Sequence, residues 1–162
     1  DMPANSADMH KHVFYAMSRC LYFDGIPSQK YSNVLSCLQA KVRTFRKGEI
    51  IFRFHQQSNY AGIVVTGMVQ QNIYDDCGKP IMYNQLTTGG SFGAELSCSP
   101  EAKSLTENYA QQIVQCFFAT SQTCSQLVRN LVSIASWWRQ IYFVICLLYT
   151  SDAVDDLTRV DL

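Results

Sequence analysis

Two of the three histidines have the spacing of a metal-binding pair. His10 and His12 form an H-x-H pair, whereas His55 stands alone. Such a pair can hold one ion on a β-strand, because alternate residues of a strand share a face. These two residues lie in a segment with helical periodicity, where side chains two positions apart diverge. We therefore predict no metal site and no cofactor.

The cysteines are scattered along the chain, and no two form a C-x-x-C pair. They are Cys20, Cys37, Cys77, Cys98, Cys116, Cys124 and Cys146. This spacing argues against a zinc ribbon, a thioredoxin-type site and an iron–sulfur cluster, so we interpret the thiols as small buried apolar groups. Residues 1–11 lack the apolar segment of a signal peptide, and free thiols fit a reducing compartment, so a cytoplasmic location is expected. No Ser-His-Asp or Cys-His centre is visible, and we predict no catalytic residue and no enzyme activity.

Basic residues are concentrated in one segment of a chain that is neutral as a whole. With 13 basic and 13 acidic residues, the formal net charge is zero, which gives no strong attraction to nucleic acid. The segment 41–53 carries Lys41, Arg43, Arg46, Lys47 and Arg53 against one acid, Glu49. Because this segment is a predicted β-hairpin, we interpret its charges as a solvent-exposed face.

The helices and strands that must position these residues can be predicted from the spacing of apolar residues, which changes along the chain. Helical spacing predicts a helix over 8–22, with Asp8 as its N-cap, and a shorter helix over 28–38. From residue 42 the period becomes two, and short strands separated by glycine turns are predicted at 42–45, 50–55, 60–66, 68–74, 80–86 and 113–119. The sequence D-D-C-G at 75–78 is typical of a hairpin turn. This pattern predicts a mainly β fold, either a sandwich, a jelly roll or a barrel.

Helical spacing returns after the last predicted strand. A heptad seam is formed by Leu127, Leu131, Ile134, Trp138 and Ile141. Either a dimerisation helix or a helix packed on its own domain would have this pattern. The apolar run at 141–149 is nine residues long, and a membrane span needs about 20, so no membrane segment is expected.

Four glycine-containing motifs follow one another through the strand region. They are F-R-K-G-E-I-I-F at 45–52, G-I-V-V-T-G-M-V at 62–69, D-C-G-K at 76–79 and G-G-S-F-G-A-E-L at 89–96. In this order they resemble the cyclic-nucleotide-binding-like sensor domain of the Crp/Fnr transcription regulators. The resemblance covers about residues 8–145.

The resemblance implies a fold and a domain organisation. The fold is a double-stranded β-helix, or jelly roll, preceded by small helices and followed by a dimerisation helix and a helix-turn-helix domain. We assign residues 1–7 to a disordered start, 8–124 to the sensor domain and 125–145 to part of the dimerisation helix. The full-length parent is expected to be a homodimer that contacts DNA only through the helix-turn-helix domain, which is missing here.

The resemblance also implies a ligand site. The segment G-S-F-G at 90–93 resembles the start of the family's phosphate-binding cassette, where a glycine lets the backbone approach a phosphate and the next short helix offers N–H groups. The ligand-binding residues implied here are Gly93, Glu95, Leu96, Lys103 and Ser104. A simpler interpretation is slightly favoured, in which the glycines serve tight turns and Lys103 is a solvated loop residue.

Two departures from the family's pattern argue against cyclic AMP or cyclic GMP as the effector. Nucleotide-binding members have a glutamate directly after F-G for the ribose, and an Arg-Ser or Arg-Thr pair for the cyclic phosphate. Here Ala94 replaces the glutamate, and Lys103 precedes Ser104. A lysine is a point charge and cannot form the bidentate clamp of an arginine. We therefore expect another small effector, or none.

The last 17 residues have no place in this family. Residues 146–162, C-L-L-Y-T-S-D-A-V-D-D-L-T-R-V-D-L, resemble the translation of a transposase adapter used to prepare sequencing libraries. We therefore expect 146–162 to be a non-native tail and the natural gene to be interrupted near Ile145, inside the dimerisation helix.

Two other functions remain open beside an allosteric sensor. One is a cupin-like metalloenzyme built on a similar roll. The other is a regulatory cyclic-nucleotide-binding module of a channel or kinase. Bound metal would favour the first, and tight binding of a cyclic nucleotide would bear on the second.

Overall fold

The computed structural model describes residues 6–58, 60–93 and 103–120. Within these ranges the helical elements come first: α1 (Ser6–Arg19), the 3-10 turns Leu21–Phe23 and Ser28–Lys30, and α2 (Tyr31–Leu38). Eight strands follow: β1 (Lys41–Phe45), β2 (Ile50–Phe52), β3 (Tyr60–Thr66), β4 (Val69–Tyr74), β5 (Pro80–Leu86), β6 (Ser91–Phe92), β7 (Glu107–Ala110) and β8 (Val114–Thr120). The prediction of a mainly β chain with helices before the strands is confirmed.

The strands form two four-stranded sheets in which every pairing is antiparallel. One has the order β1-β8-β3-β6 and is called the helix-side sheet here; the other, the outer sheet, has the order β2-β7-β4-β5. Successive strands therefore alternate between the sheets over much of the chain, as in a jelly roll.

The two central strands of the helix-side sheet, β3 and β8, are buried on both faces. Their outward side chains Ile63, Val65, Phe117 and Ala119 pack against the helices, and their inward side chains Val64, Cys116 and Phe118 pack against the outer sheet. Alternate residues of one strand thus enter two different apolar cores. This explains why β3 is a continuous run of apolar residues without polar alternation.

The helix α1 lies against this sheet through one apolar stripe. Val13, Ala16, Met17 and Cys20 are all buried and recur at the three- and four-residue spacing of a helix face. The helix begins at Ser6, so Asp8 lies in its first turn and does not cap it. The second predicted helix is a 3-10 turn followed by α2.

The hairpin between β4 and β5 turns where the sequence predicts it. The carboxylate of Asp75 accepts hydrogen bonds from the backbone N–H groups of Cys77 and Lys79 at 3.0 and 2.7 Å. Gly78 supplies the positive φ, 75°, that the turn needs. The sequence does not predict β6 or β7, and β2 ends at Phe52, before the predicted alternation ends.

Several predictions lie outside the described residues. They include the heptad seam from Leu127 to Ile141 and the tail over 146–162. In the ranges that the structure describes, no helix is long and apolar enough to span a membrane, and no three His, Cys, Asp or Glu side chains are grouped as metal ligands.

Candidate functional site

The glycine at the start of the cassette segment is required by both conformation and space. Gly93 is buried and has a φ of 78°, in the left-handed region. A β-carbon at this position would collide with the ring of Phe52 and press on the backbone oxygen of Tyr60. The segment 94–102, with Glu95 and Leu96, lies outside the described residues.

Ser104, at the other end of that segment, is committed to internal hydrogen bonds. Its side chain is fully buried, and its hydroxyl donates to the backbone oxygen of Thr106 at 2.6 Å. Its backbone oxygen accepts from His55 N–H at 2.7 Å, and its N–H donates to Gln56 O at 3.0 Å. Ser104 therefore anchors the loop 53–58 to the start of the chain segment that forms β7.

Lys103 is exposed and lies in an isolated antiparallel bridge with Gln57. Among the predicted ligand residues, the structure thus describes Gly93, Lys103 and Ser104. Gly93 and Ser104 are both linked to the β2–β3 region, Gly93 through Phe52 and Ser104 through the loop. None of the three lines the cavity described next.

A cavity of about 520 Å³ opens beside β1, at the edge of the roll. Its volume is in the range of small-molecule sites. It is lined by the end of α2 (Leu38, Gln39), by β1 (Lys41, Arg43, Phe45), by β2 (Ile51, Phe52), by the loop (Gln56, Gln57, Ser58), and by Tyr60 and Phe118. Phe52 and Tyr60 also contact Gly93, so the cavity borders the cassette segment without including its described residues.

Aromatic rings form the inner wall of this cavity. The rings of Phe45 and Phe52 both lie edge-on to Phe118, with centroids 6.0 and 6.3 Å away. Phe92 packs against Phe52 and Phe118 from the side of β6, at 5.5 and 5.9 Å. Edge-on pairs at these distances are favourable, so the wall is a packed part of the inter-sheet core.

Two cations stand at the rim. Lys41 and Arg43 are exposed and lie on the same face of β1 as Phe45, because residues two apart on a strand share a face. The guanidinium of Arg43 lies over the Phe45 ring, 5.4 Å from its centroid. Within the described ranges the one ion pair is Lys11–Asp8 on α1, so neither rim cation has a carboxylate partner there.

The loop 53–58 contributes the polar residues Gln56, Gln57 and Ser58 to the lining of the cavity. The side-chain oxygen of Gln56 accepts from the backbone N–H of Arg53 at 2.9 Å, which leaves its NH₂ group to donate. The hydroxyl oxygen of Ser58 accepts from the N–H of Tyr60 at 3.2 Å. His55 holds the loop in a tight bend with a φ of 59°, and its ring stacks on Phe54.

No protein-family model and no curated protein sequence matches the chain, but solved structures do. The catabolite activator protein of Thermus thermophilus matches with a TM-score of 0.65 and 20% identity, covering 85% of this chain and 62% of that one. The N-terminal domain of a transcriptional regulator from Streptomyces coelicolor A3(2) matches with 0.67 and 15%, covering 85% and 96%. The regulatory domain of Toxoplasma gondii protein kinase A, crystallised with cAMP, matches with 0.61 and 20%, covering 78% and 50%.

The chain has the fold of the cyclic-nucleotide-binding domains. The predicted jelly-roll fold class with flanking helices is therefore confirmed, whereas the predicted dimerisation helix lies outside the described residues. This cyclic-nucleotide-binding-like domain spans 62% of the length of the Thermus protein and half that of the Toxoplasma domain. The matched proteins are regulators in their descriptions, and at these identities the likeness establishes the fold alone.

The cavity and its two rim cations, Lys41 and Arg43, are not predicted from the sequence. The prediction placed the charges of 41–53 on a solvent-exposed face, and Lys41 and Arg43 are exposed, yet they also line the cavity. The signal was present: K-x-R-x-F at 41–45 puts two bases and an aromatic residue on one face. The sequence alone does not determine which face of β1 points into the roll.

Proposed function

We propose that the chain is the ligand-sensing domain of a Crp/Fnr-like transcription regulator, and that it is not an enzyme. The observation that carries this proposal is the two-sheet roll itself, whose likeness extends over 96% of the N-terminal domain of a transcriptional regulator. The ordered glycine motifs support the same family. The sensor domain is assigned to residues 8–124, and the DNA partner belongs to a helix-turn-helix domain that follows in the parent protein.

The mechanism is allosteric. An effector bound in the cavity contacts Phe118 on β8, and β8 is the last described strand before the heptad residues Leu127, Leu131, Ile134, Trp138 and Ile141. A ligand that binds one arrangement of this strand and helix better than another shifts the population of the dimer. We propose that residues 125–145 belong to a dimerisation helix and that residues 146–162 are a non-native tail.

The effector is proposed to be a small molecule other than a cyclic nucleotide. Ala94 replaces the ribose-binding glutamate, and Lys103 replaces the arginine of the phosphate clamp. The hydroxyl of Ser104 is already engaged with Thr106. These features leave the nucleotide phosphate without its bidentate partner.

The gene itself tests the regulator assignment. The uninterrupted open reading frame is expected to continue past the codon for Ile145 into the rest of the helix and a helix-turn-helix domain. A continuation into a kinase or a channel segment would overturn the assignment.

Calorimetric titration of the purified chain with cyclic AMP and cyclic GMP is expected to give no saturable heat, and tight binding would refute the proposed effector class.

A regulatory module of a kinase is the second candidate. The likeness to the regulatory domain of Toxoplasma gondii protein kinase A favours it, since that domain has the same fold. Both candidates bind an effector in the roll and differ in the domain attached to it. The continuation of the gene therefore separates them, and metal analysis of the purified chain separates both from a cupin-like enzyme.

A further inference from the structure

We propose that the cavity beside β1 is a binding site for aromatic carboxylates, with Lys41 and Arg43 as the anion-binding residues. This site lies beside the cassette segment and uses none of its described residues. Its regulatory role rests on the proposed sensing function, whereas its binding can be measured on this chain alone.

The charge of the lining selects for an anion. Lys41 and Arg43 are the charged residues among the cavity's described lining, and no aspartate or glutamate is among them. Their α-carbons lie about 7 Å apart, as residues two apart on a strand do. Their long side chains can therefore converge on one ligand oxyanion from two sides. Arg43 also offers a planar fork of donors, which matches a carboxylate in two parallel hydrogen bonds.

The neutral polar groups of the lining point the same way. The Gln56 oxygen accepts one hydrogen bond from Arg53 N–H, and the Gln56 NH₂ group can donate to a ligand. The Ser58 oxygen accepts one hydrogen bond from Tyr60 N–H, and the Ser58 O–H can donate to a ligand. Donors that face a cavity are satisfied by a ligand rich in acceptors.

One element opposes an anion, and its effect is smaller. The C-terminal end of α2 borders the cavity at Leu38 and Gln39, and a helix C-terminus carries a partial negative charge. Two carbonyl groups of its last turn are engaged, since the N–H of Gln39 donates to Leu35 and Ser36 and the N–H of Ala40 to Leu35. Two full positive charges outweigh this partial charge of about one half.

The apolar wall selects for a ring. Phe45, Phe52 and Phe118 line the cavity with the small part of each ring that is not buried in the core, and Ile51 and Leu38 extend this apolar lining. A planar ring stacks on or packs edge-on against such a wall, while its carboxylate reaches the rim. A phosphate is less well served by the described lining, which includes no helix N-terminus and no cluster of backbone N–H groups of the kind that binds phosphates.

The decisive experiment compares 2-naphthoate with 2-naphthamide, which has the same shape and no charge. Titrations of the full chain by calorimetry or ligand-observed NMR are expected to give naphthoate a dissociation constant below about 1 mM and naphthamide one at least about tenfold higher. Inorganic phosphate is expected to compete weakly. Equal affinity for the two ring compounds, or no binding of naphthoate, would overturn the proposal.

Matched variants locate the site. K41Q and R43Q are each expected to weaken naphthoate binding by about tenfold, and to leave naphthamide binding unchanged. K47Q and R46Q remove the same charges on the neighbouring turn, outside the cavity, and are expected to bind naphthoate like the parent chain. Unchanged thermal unfolding would confirm that all four variants are folded. If the turn variants weaken binding as much as the rim variants do, the site is not this cavity.

The outcomes distinguish this site from the sensing function. Binding of naphthoate by a chain whose gene continues into a kinase would refute the regulator and keep the site. A gene that encodes a helix-turn-helix domain, with no naphthoate binding by this chain, would keep the regulator and refute the site.

Discussion

Cys20 and Cys116 are buried thiols on opposite sides of the helix-side sheet. Cys20 packs among the helices, and Cys116 packs between the two sheets. Burial disfavours the charged thiolate, and it raises the pKa of Cys20 to about 11 and that of Cys116 to about 12. For these two residues the structure supports the interpretation of the cysteines as small apolar groups.

Thiol reactivity and alkaline stability test this at the residue scale. Iodoacetamide at pH 8 is expected to alkylate the exposed Cys77 in the native chain and to leave Cys20 and Cys116 unmodified until urea is added, as peptide mass spectrometry can show.

An unfolded thiol ionises near pH 9, below the pKa of either folded thiol. The free energy of unfolding is therefore expected to fall as the pH rises from 9 to 12. The variant C20A/C116A should show a shallower fall, and an equal slope would contradict this account.

Most elements are predictable from the sequence, and those that are not have physical reasons. β3 and β8 are recognisable because they are long and apolar. β7, with the sequence E-N-Y-A, carries the buried polar residue Asn108. That side chain is satisfied inside the roll, since it accepts from Gln71 at 2.7 Å and donates to Thr106 at 3.1 Å. Such long-range pairing leaves no apolar alternation for a pattern to detect.

The candidate site was predictable to a smaller extent. Glycine order indicated where the cassette segment lies, because Gly93 must be small and left-handed. The cavity depends on which face of β1 turns inward and on the path of the loop 53–58. Both are set by distant contacts, such as the bond from His55 N–H to Ser104 O, which the sequence alone does not specify.

The end of α2 offers a test at the scale of an element. Gln39 closes this helix in the left-handed conformation, with a φ of 48°. A residue with a β-carbon is strained there, and glycine is not. Q39G is expected to raise the free energy of unfolding by about 1 kcal/mol, measured by urea denaturation. Q39A keeps the strain and should change stability little. A loss of stability in Q39G would mean that contacts of the Gln39 side chain stabilise the fold by more than its left-handed backbone conformation destabilises it.

At the scale of the molecule, the helix-side sheet connects the candidate ligand site to the helices, and a sensor must couple a ligand site to other elements. Its outer face holds the helices, its inner face forms the aromatic wall through Phe118, and its edge strand β1 carries the two rim cations. A ligand held between Arg43 and Phe118 would contact β1 and β8, and β1 pairs with β8 along the whole length of β1. The geometry thus gives the proposed effector a direct connection to the strand that leads toward the heptad segment.

The assignment of residues 146–162 as a non-native tail can be tested on the whole chain. Among the residues that the structure describes, the buried members of both apolar cores lie between Val13 and Ala119. A chain that ends at Ile145 is therefore expected to unfold in urea with a free energy within about 0.5 kcal/mol of that of the full chain. A chain that ends at residue 112 is the control, and it should not fold, because it lacks β8, which pairs with β1 and β3 and supplies residues to both cores. If removal of 146–162 lowers the stability by several kcal/mol, those residues belong to the folded domain, and the boundary at Ile145 is wrong.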